Sequence, residues 1–204
     1  MVNVVNMKKW IVLLLIVFLG TSCSQKQEPQ ESCNFVQNSS VQRVSWKDAV
    51  PVHLYVHSSF PSQYLPALRS AMVQWEKALG RPLVRDAGVV GAENAPARDG
   101  VSGIYWLNTW EDEKPGEQAR TTIYWEANRI KEADIKINAK NFEYSLQPDG
   151  TKVDIESLLV HEIGHVLGLQ HNTESGSVMA LVLDNGELRR SPAPADVASL
   201  KCEY

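Results

Sequence analysis

The sequence lacks most of what would mark it as a nucleic-acid, repeat, membrane-spanning or disulfide-rich protein. Its 20 basic and 24 acidic residues leave a formal net charge of -4, so there is no basic excess of the kind that binds nucleic acid. No internal repeat is visible, which excludes solenoid and propeller arrays. One apolar run, Trp10 to Leu19, stands out, but ten helical residues reach only about 15 Å against a hydrocarbon core of roughly 30 Å. It does not span a membrane by itself. Cysteine is scarce, at three residues, so the fold does not depend on a dense disulfide framework. What remains is an ordinary globular composition, 44% hydrophobic and 22% charged over 204 residues, enough for one well-packed domain but not two.

The apolar run follows Lys8 and Lys9 and is succeeded by Gly20, Thr21 and Ser22, and then Cys23. Positive charge, short apolar segment and small residues in that order form a secretory signal, so 1–22 is expected to be a signal peptide. Cys23 after small residues resembles a bacterial lipobox cysteine, which is acylated and becomes the new N-terminus. Gly20 stands where Leu is commoner, and plain cleavage near Ser22 is the alternative. The chain is thus expected to be exported and anchored by lipid to a membrane of the cell envelope, or else secreted in soluble form. Residues 23–45, rich in Gln, Ser, Asn and Glu, are expected to be a tether, with the folded body at 46–204. Cys33 and Cys202 are left in an oxidising compartment, where a bridge between them is the expected arrangement and two free thiols the alternative.

Within the body, Val52, Leu54 and Val56 alternate with His53 and Tyr55 as in a strand. From Gln63 to Leu79 the apolar residues Leu65, Leu68, Met72, Trp75 and Leu79 recur at helical spacing, and Gly80 follows as a C-terminal cap. Extended segments are predicted around Pro82 to Val84, Val101 to Trp106, Thr121 to Trp125 and Ala133 to Asn138. This order of elements predicts an α+β domain. Trp75, Trp106, Trp110 and Trp125 are expected in the core rather than in a sugar-stacking surface. The acidic run Glu111, Asp112 and Glu113 could contribute to a calcium site, although it lacks the spacing of a ligand loop and a solvated loop is the simpler reading.

The chemistry is concentrated in residues 161–171, which read HEIGHVLGLQH. His161 and His165, four apart on a helix, present two imidazoles to one ion, and Glu162 flanks the same face without being a ligand. Asp154 is the predicted N-cap, and Ile155, Leu159, Ile163 and Val166 form an apolar stripe. Gly168 lets the chain reverse, because glycine enters left-handed conformations cheaply, and His171 returns as the third ligand. Three neutral imidazoles leave one coordination position open, as in a catalytic zinc site; a structural site would be closed by a fourth protein ligand. From this chain's own composition the five fixed residues would coincide by chance in roughly one such chain in 10⁵. His53 and His57, without carboxylates at ligand spacing, are read as surface or packing residues.

The extended motif resembles the signature of the metzincin metallopeptidases, and its surroundings resemble the matrixin branch, the family of the matrix metalloproteinases. Ser177, Val178, Met179 and Ala180 look like that family's Met-turn, Ala133 to Asn138 like its last sheet strand, and Pro194 to Val197 with Leu200 to Tyr204 like its terminal helix. The resemblance implies a zincin-like domain: a twisted, mostly parallel sheet with an antiparallel edge strand, an active-site helix and a C-terminal helix. It implies one catalytic zinc ion held by His161, His165 and His171, Glu162 as general base, and Met179 as an apolar floor beneath the metal. It further implies that Ala119 to Trp125 pairs with an extended protein or peptide substrate, and that Ala180 to Leu183 lines a side-chain pocket. No cysteine-switch motif is present, Asn172 stands where Ser is usual, and the family's structural zinc and calcium ligands cannot be traced. The expected activity is that of a zinc endopeptidase, with a monomer as the default expectation; a catalytically idle zinc-binding module is the rival reading.

Overall fold

The computed structural model describes residues 33–91 and 96–204. The expected signal peptide, Cys23 and the first part of the expected tether, 23–32, lie outside these residues. Among the described residues, no helix is long and apolar enough to cross a membrane.

Five strands form the main sheet: β1 (Val52–His57), β2 (Val84–Val90), β3 (Gly103–Leu107), β4 (Ala119–Glu126) and β5 (Arg129–Asn138), in the order β2-β1-β3-β5-β4. The β2–β1, β1–β3 and β3–β5 pairs are parallel, and β4 runs antiparallel to β5 at the edge. Two short parallel strands, β6 (Tyr144–Ser145) and β7 (Val153–Asp154), lead into the helix that carries the histidines. The expected sheet with its antiparallel edge is therefore present. β2 extends well past the predicted Pro82 to Val84, because an outer strand with one neighbour needs no continuous apolar face; its Arg85 and Asp86 are held by backbone pairing with β1.

Helix α1 (Leu65–Leu79), entered through a 3-10 turn at Ser62–Tyr64, ends at Gly80, whose φ of 73° is left-handed as predicted. Helix α2 (Ile155–Val166) starts at Asp154, whose carboxylate accepts from the Ser157 N–H at 2.9 Å and the Ser157 hydroxyl at 2.7 Å. That carboxylate is wholly buried and is also paired with Arg190, so burying the charge leaves no unsatisfied group. The two helices pack together over the sheet, α1 also against β2 and α2 also against β4 and β5. Buried Trp75 pins them, its indole N–H donating to the Val160 carbonyl at 2.9 Å. Helix α3 (Pro194–Leu200) closes the chain.

Among the described residues, 33–45 already pack as part of the folded body, ahead of the expected Trp46. Cys33, Phe35 and Val44 are fully buried, and the segment folds back on itself through a Gln37–Arg43 bridge while Phe35 pairs with Leu169. A polar stretch with so few apolar residues reads as a tether, because its partners, Leu169 and Ile130 among them, lie far downstream in the chain. Cys33 and Cys202 are joined by a disulfide across a separation of 169 residues. Arg43 and Lys47 both pair with Glu203, each at 2.8 Å.

Trp75 lies in the core and Trp106 packs among Phe60, Tyr64 and Tyr144. Trp125, expected in the core, is 39% exposed near the tip of the edge hairpin. Trp110 is half-buried beneath the Arg120 guanidinium.

Candidate metal centre

His161 and His165 lie one turn apart on α2, and the chain reverses at Gly168, where φ is 97°. A side chain there would also meet the Val44 carbonyl oxygen, at 2.5 Å from a Cβ, so both conformation and space require glycine. The reversal returns His171 to the other two. Its Nε2 lies 3.2 Å from that of His165, which lies 3.0 Å from that of His161. Among the described residues this is the only group of three histidine, cysteine or acidic side chains whose ligand atoms converge.

The outer nitrogens settle what the inner ones offer. Nδ1 of His161 contacts the Val178 carbonyl at 2.7 Å, and Nδ1 of His165 contacts the Leu169 carbonyl at 2.8 Å. A carbonyl only accepts, so both Nδ1 atoms carry the proton and each neutral ring turns a bare Nε2 lone pair inward. Burial holds His161 down to about 3 and His165 to about 4, and lowers His171 as well, which keeps the rings in the ligating form. Converging lone pairs repel one another unless a cation lies between them. Nitrogens at the corners of a tetrahedron around zinc, each at roughly 2.0–2.1 Å, would be about 3.3 Å apart, close to the observed separations. The donor set therefore fits one zinc ion.

Met179, 1% exposed, packs against the helix that carries the histidines. Its sulfur occupies the space where a Cβ on Gly164 would be, and Trp75 closes the same spot at 3.0 Å. A glycine inside a helix, ordinarily costly, is here what lets the methionine approach. The turn carrying Met179 is tied to α3 by Asp196, which accepts from the Ser177 hydroxyl at 2.5 Å and the Val178 N–H at 3.0 Å and reaches back to the Ala193 N–H at 2.8 Å. Val178 thus supplies the carbonyl that orients His161 from a loop that is itself anchored. This role of Asp196 escapes sequence reasoning, because nothing local distinguishes it from an ordinary first-turn acid.

Glu162 is 3% exposed, beside the three rings. Burial raises its carboxyl to about 7, an effect opposed by a 2.6 Å hydrogen bond donated to Oε2 by the Thr121 hydroxyl on β4. Sequence reasoning placed Thr121 in the edge strand but gave it no such part. Glu162 and the histidines open into a cleft of about 580 Å³, walled on one side by Gly116 to Thr121 and on the other by Ala180 to Leu183. Leu181 and Val182 are 72% and 65% exposed, so this apolar wall is uncovered.

The remaining candidates lie elsewhere. His53 is exposed, and His57 contacts Ser59 through Nδ1 at 2.8 Å. In the acidic run, Glu111 pairs with Arg120 at 2.8 Å and Asp112 with Lys140 at 2.7 Å. These carboxylates face cations rather than one another, which removes the basis for a calcium site there.

A mostly parallel sheet with an antiparallel edge, backing a helix whose histidines meet a third imidazole across a glycine reversal over a buried methionine, defines the class: a zincin-like domain of the metzincin type. Within that class the chain belongs to the matrixin family, whose model matches residues 99–204, a little over half of its length. It is also similar to Metalloendoproteinase 5-MMP of Arabidopsis thaliana, at 37% identity over 57 residues. That stretch is 28% of this chain and 16% of the plant protein.

Proposed function

We propose that this protein is a zinc-dependent endopeptidase in which Glu162 is the general base. The observation that carries the reading is the convergence of three neutral imidazoles beside a buried carboxylate, in an open cleft bounded by an edge strand. When bound, zinc supplies a Lewis acid that polarises a carbonyl and acidifies water. The chain supplies the rest. β4 has one neighbour in the sheet, so its outer backbone groups pair with an extended peptide whatever its sequence. Ala180 to Leu183 receive an apolar side chain of that peptide. Glu162, buried beside the three rings, takes a proton from the attacking water and delivers it to the leaving amine. The Thr121 hydroxyl fixes one carboxylate oxygen and leaves the other for that transfer.

The test is cleavage-site mapping by mass spectrometry on a peptide library, with and without chelator. Glu162→Gln is expected to retain zinc and lose nearly all cleavage, and His165→Ala to lose both. Cleavage that persists in Glu162→Gln or under chelation would remove the assignment. We further propose export and acylation at Cys23, supported by the order of lysines, apolar run and small residues ahead of it. Cys23→Ser is expected to abolish incorporation of labelled fatty acid; undiminished labelling refutes that site.

A further inference from the structure

The loop that presents His171 owes its shape to the far end of the folded body. Phe35 forms an antiparallel bridge with Leu169, the Val36 N–H donates to the Gly168 carbonyl at 2.9 Å, and the Gln170 N–H donates to the Asn34 carbonyl at 2.9 Å. The Asn34 side chain adds two more bonds: its Nδ2 donates to the Gln170 carbonyl at 2.9 Å and to the His171 carbonyl at 3.2 Å. Both partners only accept, so the amide nitrogen is the atom that faces the loop. Leu169, bridged to Phe35, also supplies the carbonyl that orients His165. Two of the three imidazoles are thus positioned through residues that the segment 34–36 holds.

The segment is itself fixed. Asn34 has a φ of 45°, a left-handed conformation that asparagine adopts more readily than most residues. The residue before it, Cys33, is fully buried and bonded to Cys202 beyond α3. Covalent anchor, left-handed turn and paired backbone together form a strap across the back of the metal loop.

We propose that residues 33–36 are a strap that sets the geometry of the metal centre, with Asn34 the positioning residue for His171 and the Cys33–Cys202 bond its anchor. The proposal rests on the reading of His161, His165 and His171 as zinc ligands. Its physical basis is preorganisation. His161 and His165 share a rigid helix, whereas His171 sits on irregular backbone whose freedom must be lost when all three rings meet one ion. The strap removes that freedom in advance. Groups that hold metal ligands in place are typically worth about 10–100-fold in metal affinity.

Zinc affinity, measured by competition with a chromophoric chelator, tests this without recourse to catalysis. Asn34→Gly keeps the left-handed backbone at no cost and deletes only the amide; it is expected to weaken zinc binding by about tenfold or more, while the melting temperature of the metal-free protein stays near wild type. Asn34→Asp, equal in size but with oxygens facing two carbonyl oxygens, is expected to weaken it at least as much. Breaking the anchor with Cys33→Ala and Cys202→Ala is expected to weaken zinc binding too. Adding Asn34→Gly to that background is then expected to have less effect than it has alone, because both changes act through one element. Zinc affinity unchanged in both Asn34 variants would overturn the proposal while leaving the ligand assignment intact. If His171→Ala bound zinc as tightly as wild type, the ligand assignment would fail and the strap with it.

Discussion

Replacing Gly168 by Ala separates two reasons for a glycine within one motif. At φ 97° the backbone lies beyond the left-handed basin near +57°, and an L residue there costs about 1–2 kcal/mol. The added methyl would also sit 2.5 Å from the Val44 carbonyl oxygen, 3.2 Å from Phe35 and 3.3 Å from Ile130. The nearest of these is backbone in a paired segment, so relief requires moving the chain, and such overpacking costs about 1–3 kcal/mol more. Gly176 provides the control: its φ is 77° and nothing lies within 4 Å of its Cβ position, so Gly176→Ala carries the backbone cost alone. For a domain of this size, each kcal/mol moves the melting temperature by about 2–4 °C. Thermal unfolding of the metal-free proteins followed by circular dichroism is therefore expected to place Gly168→Ala below Gly176→Ala by about 2–12 °C. Equal losses in the two variants would show that residues 35–44 do not press on the reversal, and the account of that packing would be wrong.

Two further outcomes follow from the site and the sheet. Thr121→Val preserves shape but deletes the 2.6 Å hydrogen bond to Glu162; kcat on a peptide substrate is expected to fall roughly tenfold, about 1.4 kcal/mol, with zinc content unchanged and most of the rate restored in Thr121→Ser. An undiminished kcat in the valine variant would dismiss the contact. Asp134, 1% exposed, is raised to about 7, chiefly by burial and with further contributions from the Glu132 and Asp99 charges. Between about pH 4 and 7 the folded protein then holds a proton that the unfolded chain has released, so this residue's contribution to stability is lost as pH rises. Asp134→Asn keeps an acceptor for the Gly103 N–H, bonded at 3.1 Å in the native protein. The melting temperature of metal-free Asp134→Asn relative to wild type is expected to be more favourable at pH 7 than at pH 5; a difference independent of pH would exclude the shift.

The parts of the molecule legible in its sequence are those whose cause is local. Spacing along a helix sets His161 beside His165, Asp154 caps the turn it precedes, and Gly80 and Gly168 stand where left-handed backbone is needed. The extended motif therefore foretells the meeting of three rings, and alternation at Val52 to Val56 foretells β1. What escaped depends on partners distant along the chain. Phe35 and Val44 read as tether residues because the surface that buries them includes Leu169 and Ile130. Asn34, Thr121 and Asp196 support the centre through contacts 137, 41 and 18 residues away, and no periodicity marks them. The length of β2 is hidden in the sequence for a similar reason, since its polar residues are strand because β1 pairs with them.

The groups proposed to gather metal and the group that fixes Glu162 come from different pieces of architecture. The imidazoles depend on one helix, its reversal and the strap behind it, whereas the oxygen that steadies Glu162 arrives on β4, whose placement is dictated by its hairpin with β5. A one-residue slip in that hairpin would bring Arg120 or Thr122 where Thr121 belongs, with the three rings undisturbed. Such a molecule would carry a full complement of metal and still be a poor hydrolase. For this protein, occupancy and competence are separate properties, and a preparation saturated with zinc has not thereby been shown to be correctly folded at its edge.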